Sequence, residues 1–499
     1  MKNKILLVIC DGLGFTEKKE YNAIASASTP SLDGFRASYP FALLEASGEA
    51  IGLPEGQMGT SEANHLVMGS GRIIYHNLVK INKAVDNKEL EKNPAIVEAF
   101  EHAKKHNSSL HIKGIISDGG VHGHSRHLKG LVEAARVHGV KKVFLHLFTD
   151  GRDVAPKSAA DYIKDLEGFL KRCGLGKIAS VGGRYWGMDR DNNYDRVEKH
   201  FLAITKGLGP KFKTALEVIE HNYDLGKTDE FIEPSLIETE EESGGIISVN
   251  DAVIFANFRA DRAKQLTKRV LDERINNLKF VAMTKYDDNL DVKVAFPPEE
   301  IKNTLSEVIS ANGLSQMKVT ETEKFAHLTF FFNAQRYDPE KNEDRIMINT
   351  NKDVETHDQK PEMKADDIAQ AVVSAVKENK YGFIAVNLTN CDMVGHTGNF
   401  PAIVKAVEAV DSALGKIYSA AKEYGYDMIV TADHGNAEET FGNGQPLTSH
   451  TVNPVPFYLL SDKYKNLKRI KGNLADIAPT VLTMLHLRIP KEMTGKPLV

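Results

Sequence analysis

The chain has 499 residues, 41% of them hydrophobic and 26% charged, with a net charge of −5. That length predicts two or three domains with a sizeable buried core, and the balanced charge speaks against a nucleic-acid partner. No run of about 18 apolar residues occurs, so no transmembrane helix and no membrane partner are expected.

At the N-terminus, lysines precede a short apolar stretch, as in a signal peptide. The stretch runs straight into Asp11 without a small-residue cleavage site, so Ile5–Ile9 reads as a buried strand. Cys10, Cys173 and Cys391 form no CxxC pair, which fits a reducing cytoplasm. Gly56-Gln-Met-Gly-Thr60-Ser61-Glu62 then leads into a helix-like Ala63–Met68. Ser61 would stand at a helix N-terminus, beside N–H groups that favour an incoming phosphate. Thr60 or Ser61 equally reads as an N-cap, and on this segment alone the cap is the plainer assignment.

The middle of the chain alternates strands at 110–117, 142–148, 177–181, 251–255 and 279–284 with helices at 127–138, 158–172, 191–206 and 260–271. It carries His122-Gly-His124-Ser-Arg126-His127, Thr149-Asp150-Gly-Arg152-Asp153, Gly183-Arg184, Met188-Asp189-Arg190-Asp191 and Phe258-Arg259-Ala-Asp261-Arg262. Arginines at strand ends suit bidentate capture of carboxylate and phosphate. Any one Arg–Asp pair reads as well as a structural salt bridge, but four such clusters predict an anion-binding face. His122, His124 and His127 lack a carboxylate or cysteine that would complete a metal site.

Residues 335–365, rich in Asn, Asp, Glu and Lys, read as a long loop or a poorly periodic excursion. Gly382–Leu388 and Asp427–Thr431 are further continuous apolar runs, as expected of strands covered on both faces of a parallel sheet. Between them Ile403, Val404, Val407, Val410, Leu414 and Ile417 have helical spacing over Pro401–Gly425, and 474–486 reads as another amphipathic helix.

Asp11, Asp392 and Asp433 close the three long apolar strands, where α/β sheets place their ligands. His396, His434 and His450 accompany them. Asp392 and His396 have i, i+4 spacing and share a face of a helical turn, and Gly395 and Gly398 allow a close approach. This Asp/His set is enough for two divalent metals, and its mixed oxygen and nitrogen ligands suit Mn²⁺ or Zn²⁺. A metal on the Ser61 oxygen would make it an alkoxide nucleophile. Since the ligand-bearing strands flank the middle set, one α/β domain is expected to be inserted into another. The metal-binding domain is placed at 1–75 plus 299–499 and the insert at 76–298, with crossings near Tyr75 and at the Phe296-Pro297-Pro298 break. A small acidic phosphorylated substrate between the two is the economical inference.

These motifs together resemble the cofactor-independent phosphoglycerate mutases of the alkaline phosphatase superfamily, nearly end to end. The resemblance rests on Asp11-Gly, Gly-Gln-Met-Gly-x-Ser61-Glu, Gly-Gly-Val-His122, Thr-Asp-Gly-Arg152-Asp153, Gly-Arg184-Tyr, Met-Asp-Arg190-Asp, Asn-Phe-Arg259-Ala-Asp-Arg262, Glu-Lys324-x-Ala-His, Asp392-Met-Val-Gly-His396-Thr-Gly and Ala-Asp433-His434-Gly-Asn-Ala-Glu. It implies an alkaline-phosphatase-like α/β domain carrying an inserted α/β domain that closes over substrate. It also implies interconversion of 3- and 2-phosphoglycerate, an isomerase of glycolysis and gluconeogenesis. Asp11, Ser61, Asp433 and His434 would hold one Mn²⁺, and Asp392, His396 and His450 the other. Ser61 would carry the phosphoryl group as phosphoserine, Asp153 would handle the hydroxyl proton of glycerate, and Lys324 would neutralise phosphoryl charge. His122, Arg152, Arg184, Arg190, Arg259 and Arg262 would grip carboxylate and phosphate. A cytoplasmic monomer is expected. The chain departs from the family at Thr60, at Ala63-Asn64 (usually Val-Gly), at Gly123 and through 333–365. A metal-dependent phosphatase or phosphopentomutase, and a catalytically dead homologue, are the alternatives.

Overall fold

A computed structural model of the chain describes residues 3–238 and 245–499. They form two compact units, Met1–His76 with Glu300–Val499, and Asn77–Glu299.

The discontinuous unit is built on one sheet. Its strand order is Glu343–Ile348, Gln316–Glu321, Phe383–Leu388, Ile5–Cys10, Asp427–Thr431, Val455–Leu460, Phe41–Glu45, Lys471–Asn473. The first five run parallel; Val455–Leu460 turns antiparallel. Ile5–Cys10 lies at the centre, in register with Phe383–Leu388 on one side and Asp427–Thr431 on the other. Every residue of these three strands is buried. Their largely apolar composition is that of strands covered on both faces.

Two stretches differ from expectation. Residues 335–365 are not simply a loop, because Glu343–Ile348 pairs along its whole length with Gln316–Glu321 as an edge strand. Its polar residues reflect that edge, where only one neighbour is needed. The helix expected at 474–486 is divided, with a 3₁₀ turn at Leu474–Asp476 preceding Ile477–Met484. Asn473 caps that turn, its side chain accepting from the Ala475 N–H.

The continuous unit has its own sheet, in the order Lys293–Phe296, Lys279–Thr284, Ala252–Phe255, Leu110–Ile115, Val143–Thr149, Lys177–Gly183, Ser235–Ile237, Lys211–Phe212. The first six are parallel. Val253 and Phe255 pack into one apolar layer and Ala252 and Ile254 into the opposite one, the alternation that a strand's period of two requires. No helix among the described residues is long and apolar enough to cross a membrane.

Candidate active site

The first unit gathers Asp11, Ser61, Lys324, Asp392, Asp433 and His434 into one buried cluster. Helix Ser61–Ser70 begins at the serine, and Thr60 is its cap, accepting from the Ala63 N–H. Thr60 does the capping and the Ser61 hydroxyl is left for other partners. Lys324 Nζ donates to Ser61 Oγ at 2.7 Å, and His434 Nε2 lies 2.9 Å from the same oxygen. Lys324 Nζ also sits 2.8 Å from Asp11 Oδ1 and 2.6 Å from Asp392 Oδ2. Gly12, at a φ of +79°, lets the Asp11 turn approach Asp392; a Cβ there would stand 2.6 Å from the Asp392 nitrogen. At Gly395 a Cβ would strike Asn436 Oδ1 at 2.2 Å, and Asn436 donates to Asp392 Oδ1.

A second set adjoins it. His396 Nε2 and His450 Nε2 each lie 3.1 Å from Asp392 Oδ1 and 3.3 Å from one another. Their Nδ1 atoms face backbone carbonyls, His396 that of Thr448 at 2.7 Å and His450 that of Gly59 at 2.8 Å. A carbonyl only accepts, so each Nδ1 donates to it, and each Nε2 is left facing the Asp392 carboxylate. Lone pairs and carboxylate oxygens converge without repulsion only around a proton or a metal cation.

The electrostatics agree. Three buried carboxylates, Asp11, Asp392 and Asp433, surround one ammonium, Lys324. Burial and the neighbouring Asp433 raise the Asp11 pKa. Burial alone would raise Asp392 too, but Lys324, His396 and His450 overcome it and hold that carboxyl well below the usual range. Burial opposes the Lys324 charge, yet Asp11, Asp392 and Asp433 outweigh it and raise its pKa. The Asp392 hydrogen bond raises His396. For His450, burial works downward and the bond to Asp392 prevails, lifting it to about 9. Asp433 Oδ2 is buried without a hydrogen bond, and Asp11 Oδ1 has the Lys324 ammonium as its partner. Negative charge in excess, with imidazole nitrogens and carboxylate oxygens converging on one another, fits divalent cations. The residues that could hold them fall into overlapping groups: Asp392 with His396 and His450, Asp11 with Asp392 and His434, and Asp11 with His65 and Asp433.

In the second unit the expected anion-binding residues follow the carboxyl ends of Leu110–Ile115, Val143–Thr149, Lys177–Gly183 and Ala252–Phe255, the usual ligand position in open α/β sheets. Arg184 Nη1 bridges Asp150 Oδ1 at 2.6 Å and Asp153 Oδ2 at 2.5 Å. His122 lies 3.8 Å from Asp153 Oδ2 and 3.9 Å from Asp261 Oδ1, and Arg190 and Arg259 each reach Asp261 at 3.1 Å. Burial, then Arg184, pushes His122 down to about 4, so its ring is neutral near neutral pH. Arg152 turns to Glu230 and Arg262 donates to the Met188 carbonyl. Burial lowers the Arg262 pKa, and the like charges of Arg184, Arg190 and Arg152 lower it further. Cations set this close together suit an anion. His124 caps helix Ser125–Val137 and His127 bonds to Asn82, so neither joins His122.

Sequence reasoning missed His65, Asn387, Asn64 and Asn436 in the first unit, whereas the salt-bridge role open to Asp150 and Asp261 in the second is the one the structure shows. His65 follows Ser61 at helical i, i+4 spacing, a signal that was available. Asn387 sits within an apolar run and gives none.

Residues 81–288 match the family model described as the BPG-independent PGAM N-terminus, and residues 257–466 that of type I phosphodiesterase / nucleotide pyrophosphatase. The chain is thus of mixed α/β class, with a phosphodiesterase-like segment and a phosphoglycerate-mutase-type unit. It is 46% identical to the 2,3-bisphosphoglycerate-independent phosphoglycerate mutase of Clostridium botulinum, over 100% of this chain and 99% of that one. It is also 46% identical to 2,3-bisphosphoglycerate-independent phosphoglycerate mutase 1 of Methanosarcina barkeri, over 100% and 98%. A crystal structure of Leishmania mexicana phosphoglycerate mutase at low cobalt concentration matches with 31% identity and a TM-score of 0.53, covering 99% of this chain and 97% of that one. The chain belongs to the 2,3-bisphosphoglycerate-independent phosphoglycerate mutase family.

Proposed function

We propose that this chain interconverts 3-phosphoglycerate and 2-phosphoglycerate by passing the phosphoryl group through Ser61. The observation that carries this is the Ser61 hydroxyl itself, 4% exposed and held between Lys324 Nζ and His434 Nε2 beside three carboxylates. Lys324 Nζ donates to the Ser61 oxygen, so it stabilises charge that develops there and on an arriving phosphoryl group. In the first half-reaction Ser61 Oγ gives up its hydroxyl proton and bonds to phosphorus, the bond from phosphorus to the substrate oxygen breaks, and that oxygen takes up a proton. In the second half the other hydroxyl of glycerate gives up a proton and bonds to phosphorus, the bond from phosphorus to Ser61 Oγ breaks, and Ser61 takes a proton back.

Asp153, paired with Arg184, is the group that would return and then take that proton. His122, Arg152, Arg184, Arg190, Arg259 and Arg262 would bind the carboxylate and phosphate. Asp11, Ser61, Asp433 and His434 would hold one divalent ion and Asp392, His396 and His450 a second, both Mn²⁺ in this assignment. Such ions, when bound, neutralise phosphoryl oxygens and lower the pKa of a coordinated hydroxyl. The insertion of Asn77–Glu299 as a substrate-binding unit, a monomeric state and a cytoplasmic location belong to the same proposal. Three unpaired cysteines, two of them buried, support that location.

The test is conversion of 3- to 2-phosphoglycerate without added bisphosphoglycerate. Activity should disappear on chelation and return with Mn²⁺. Steady release of inorganic phosphate instead of 2-phosphoglycerate would contradict the assignment.

A further inference from the structure

His65 lies one turn after Ser61 and is fully buried. Its Nδ1 is 2.8 Å from the Ser61 carbonyl oxygen. A carbonyl only accepts, so Nδ1 carries the hydrogen and Nε2 is left with a lone pair. Asn387 Nδ2 lies 3.1 Å from that Nε2 and 2.8 Å from Asp11 Oδ2. A carboxylate also only accepts, so the amide must turn its NH₂ group, with two hydrogens, toward both. Asn387 belongs to the central strand Phe383–Leu388, and its register partner Ile9 lies two residues before Asp11. The chain of bonds therefore joins the nucleophile's helix to the buried central strands of the sheet.

We propose that His65 and Asn387 are positioning residues, joining the Ser61 peptide to the Asp11 carboxylate through a single hydrogen-bond chain that sets nucleophile and metal ligand in register. This rests on Ser61 accepting the phosphoryl group and Asp11 binding metal. The competing assignment is that His65 is itself a ligand, since it groups with Asp11 and Asp433, its Nδ1 lying 3.5 Å from Asp433 Oδ2. Both ring nitrogens are already engaged, so ligation would require one of these bonds to break. Partners that orient a metal ligand affect affinity or turnover by about 10- to 100-fold when removed.

The experiment compares the Mn²⁺-loaded parent, His65→Ala, Asn387→Ala and the double variant. It reads kcat and KM for 3-phosphoglycerate, phosphoserine formed at Ser61, and ion stoichiometry and affinity by chelator competition. Each single variant should lose kcat by about 10- to 100-fold with KM little changed. Each should bind as many ions as the parent, with one bound more weakly. The double variant should be no worse than the poorer single, because one chain is broken in each case. If His65→Ala does not fold, His65→Gln, which keeps a donor and an acceptor, should bind ions as the parent does and recover part of the kcat that Asn387→Ala lacks. Singles with parental kcat, losses that multiply in the double variant, or one ion fewer in His65→Ala alone would each overturn the proposal. A parent that forms no phosphoserine would instead refute the function proposed above.

Discussion

Lys324→Met removes the one ammonium among three buried carboxylates. Asp11 is 0% exposed and Asp392 1% exposed, so water does not compensate, and in chelated protein a carboxyl must take up a proton instead. A carboxyl with an unfolded pKa near 3.9 accepts a proton at pH 7 at a cost of about 4 kcal/mol, at about 1.4 kcal/mol per pH unit. Breaking a buried ion pair costs about 3–5 kcal/mol, which agrees. The chelated variant should therefore melt roughly 8 °C or more below the chelated parent. Asp11, whose pKa burial and Asp433 already raise in the parent, is the expected proton acceptor. Its folded pKa then lies above its unfolded one, so stability is full below the unfolded pKa and is lost as pH rises. The deficit should accordingly shrink by about 1.4 kcal/mol for each pH unit from 7 toward 5. Added Mn²⁺ should narrow it at pH 7 by supplying the missing charge. Calorimetry and denaturant melts at pH 5, 6 and 7, with chelator and with Mn²⁺, measure all of this. A chelated variant within about 1 kcal/mol of parent at pH 7 would refute the charge accounting, as would a deficit that does not change with pH.

Asn64 donates its buried amide to the Asp433 carbonyl at 2.6 Å and the Ala46 carbonyl at 3.0 Å. Asn64→Ala should cost about 2 kcal/mol by denaturant melting, about 1 for each lost bond, and a cost under about 0.5 would show that the two contacts carry little. In the second unit His127, His146 and His200 are buried, and burial pushes His127 and His200 to about 3 and His146 well below its ordinary value. A histidine whose folded pKa is depressed stabilises fully above its unfolded pKa and less as pH falls. Below about pH 6.5 unfolding free energy should drop by about 1.4 kcal/mol per pH unit for each ring. Melts at pH 7 and 5.5 that coincide would contradict this.

How much was legible in the sequence follows from where each signal lies. Asp11, Asp392 and Asp433 stand out because each follows a mainly apolar run without the alternation of a half-exposed strand, and such runs mark strands buried on both faces. Strand Gln316–Glu321 gives no such run. Lys318 and Glu321 interrupt it, and Lys318 is buried only because Glu343 and Asn333, distant in sequence, pair with it. The neighbouring edge strand Glu343–Ile348 was hidden for the same reason, and the polar composition of 335–365 read as a loop. Lys324 entered through family resemblance alone, because it sits in a 3₁₀ turn with no periodicity to mark it. Its ion pairs with Asp11 and Asp392 are a tertiary fact. The arginines of the second unit read as a group at strand ends, but their organising carboxylates, Asp150 and Asp261, read only as salt-bridge partners.

The central claim is that Ser61 carries the phosphoryl group. The most direct measurement is to mix the Mn²⁺-loaded protein with 3-phosphoglycerate labelled in its phosphate, quench, and map the label by peptide mass spectrometry. Label on Ser61, absent from Ser61→Ala and passing into 2-phosphoglycerate on chase, is the expected result. Label on another residue, or turnover retained in Ser61→Ala, would contradict the account.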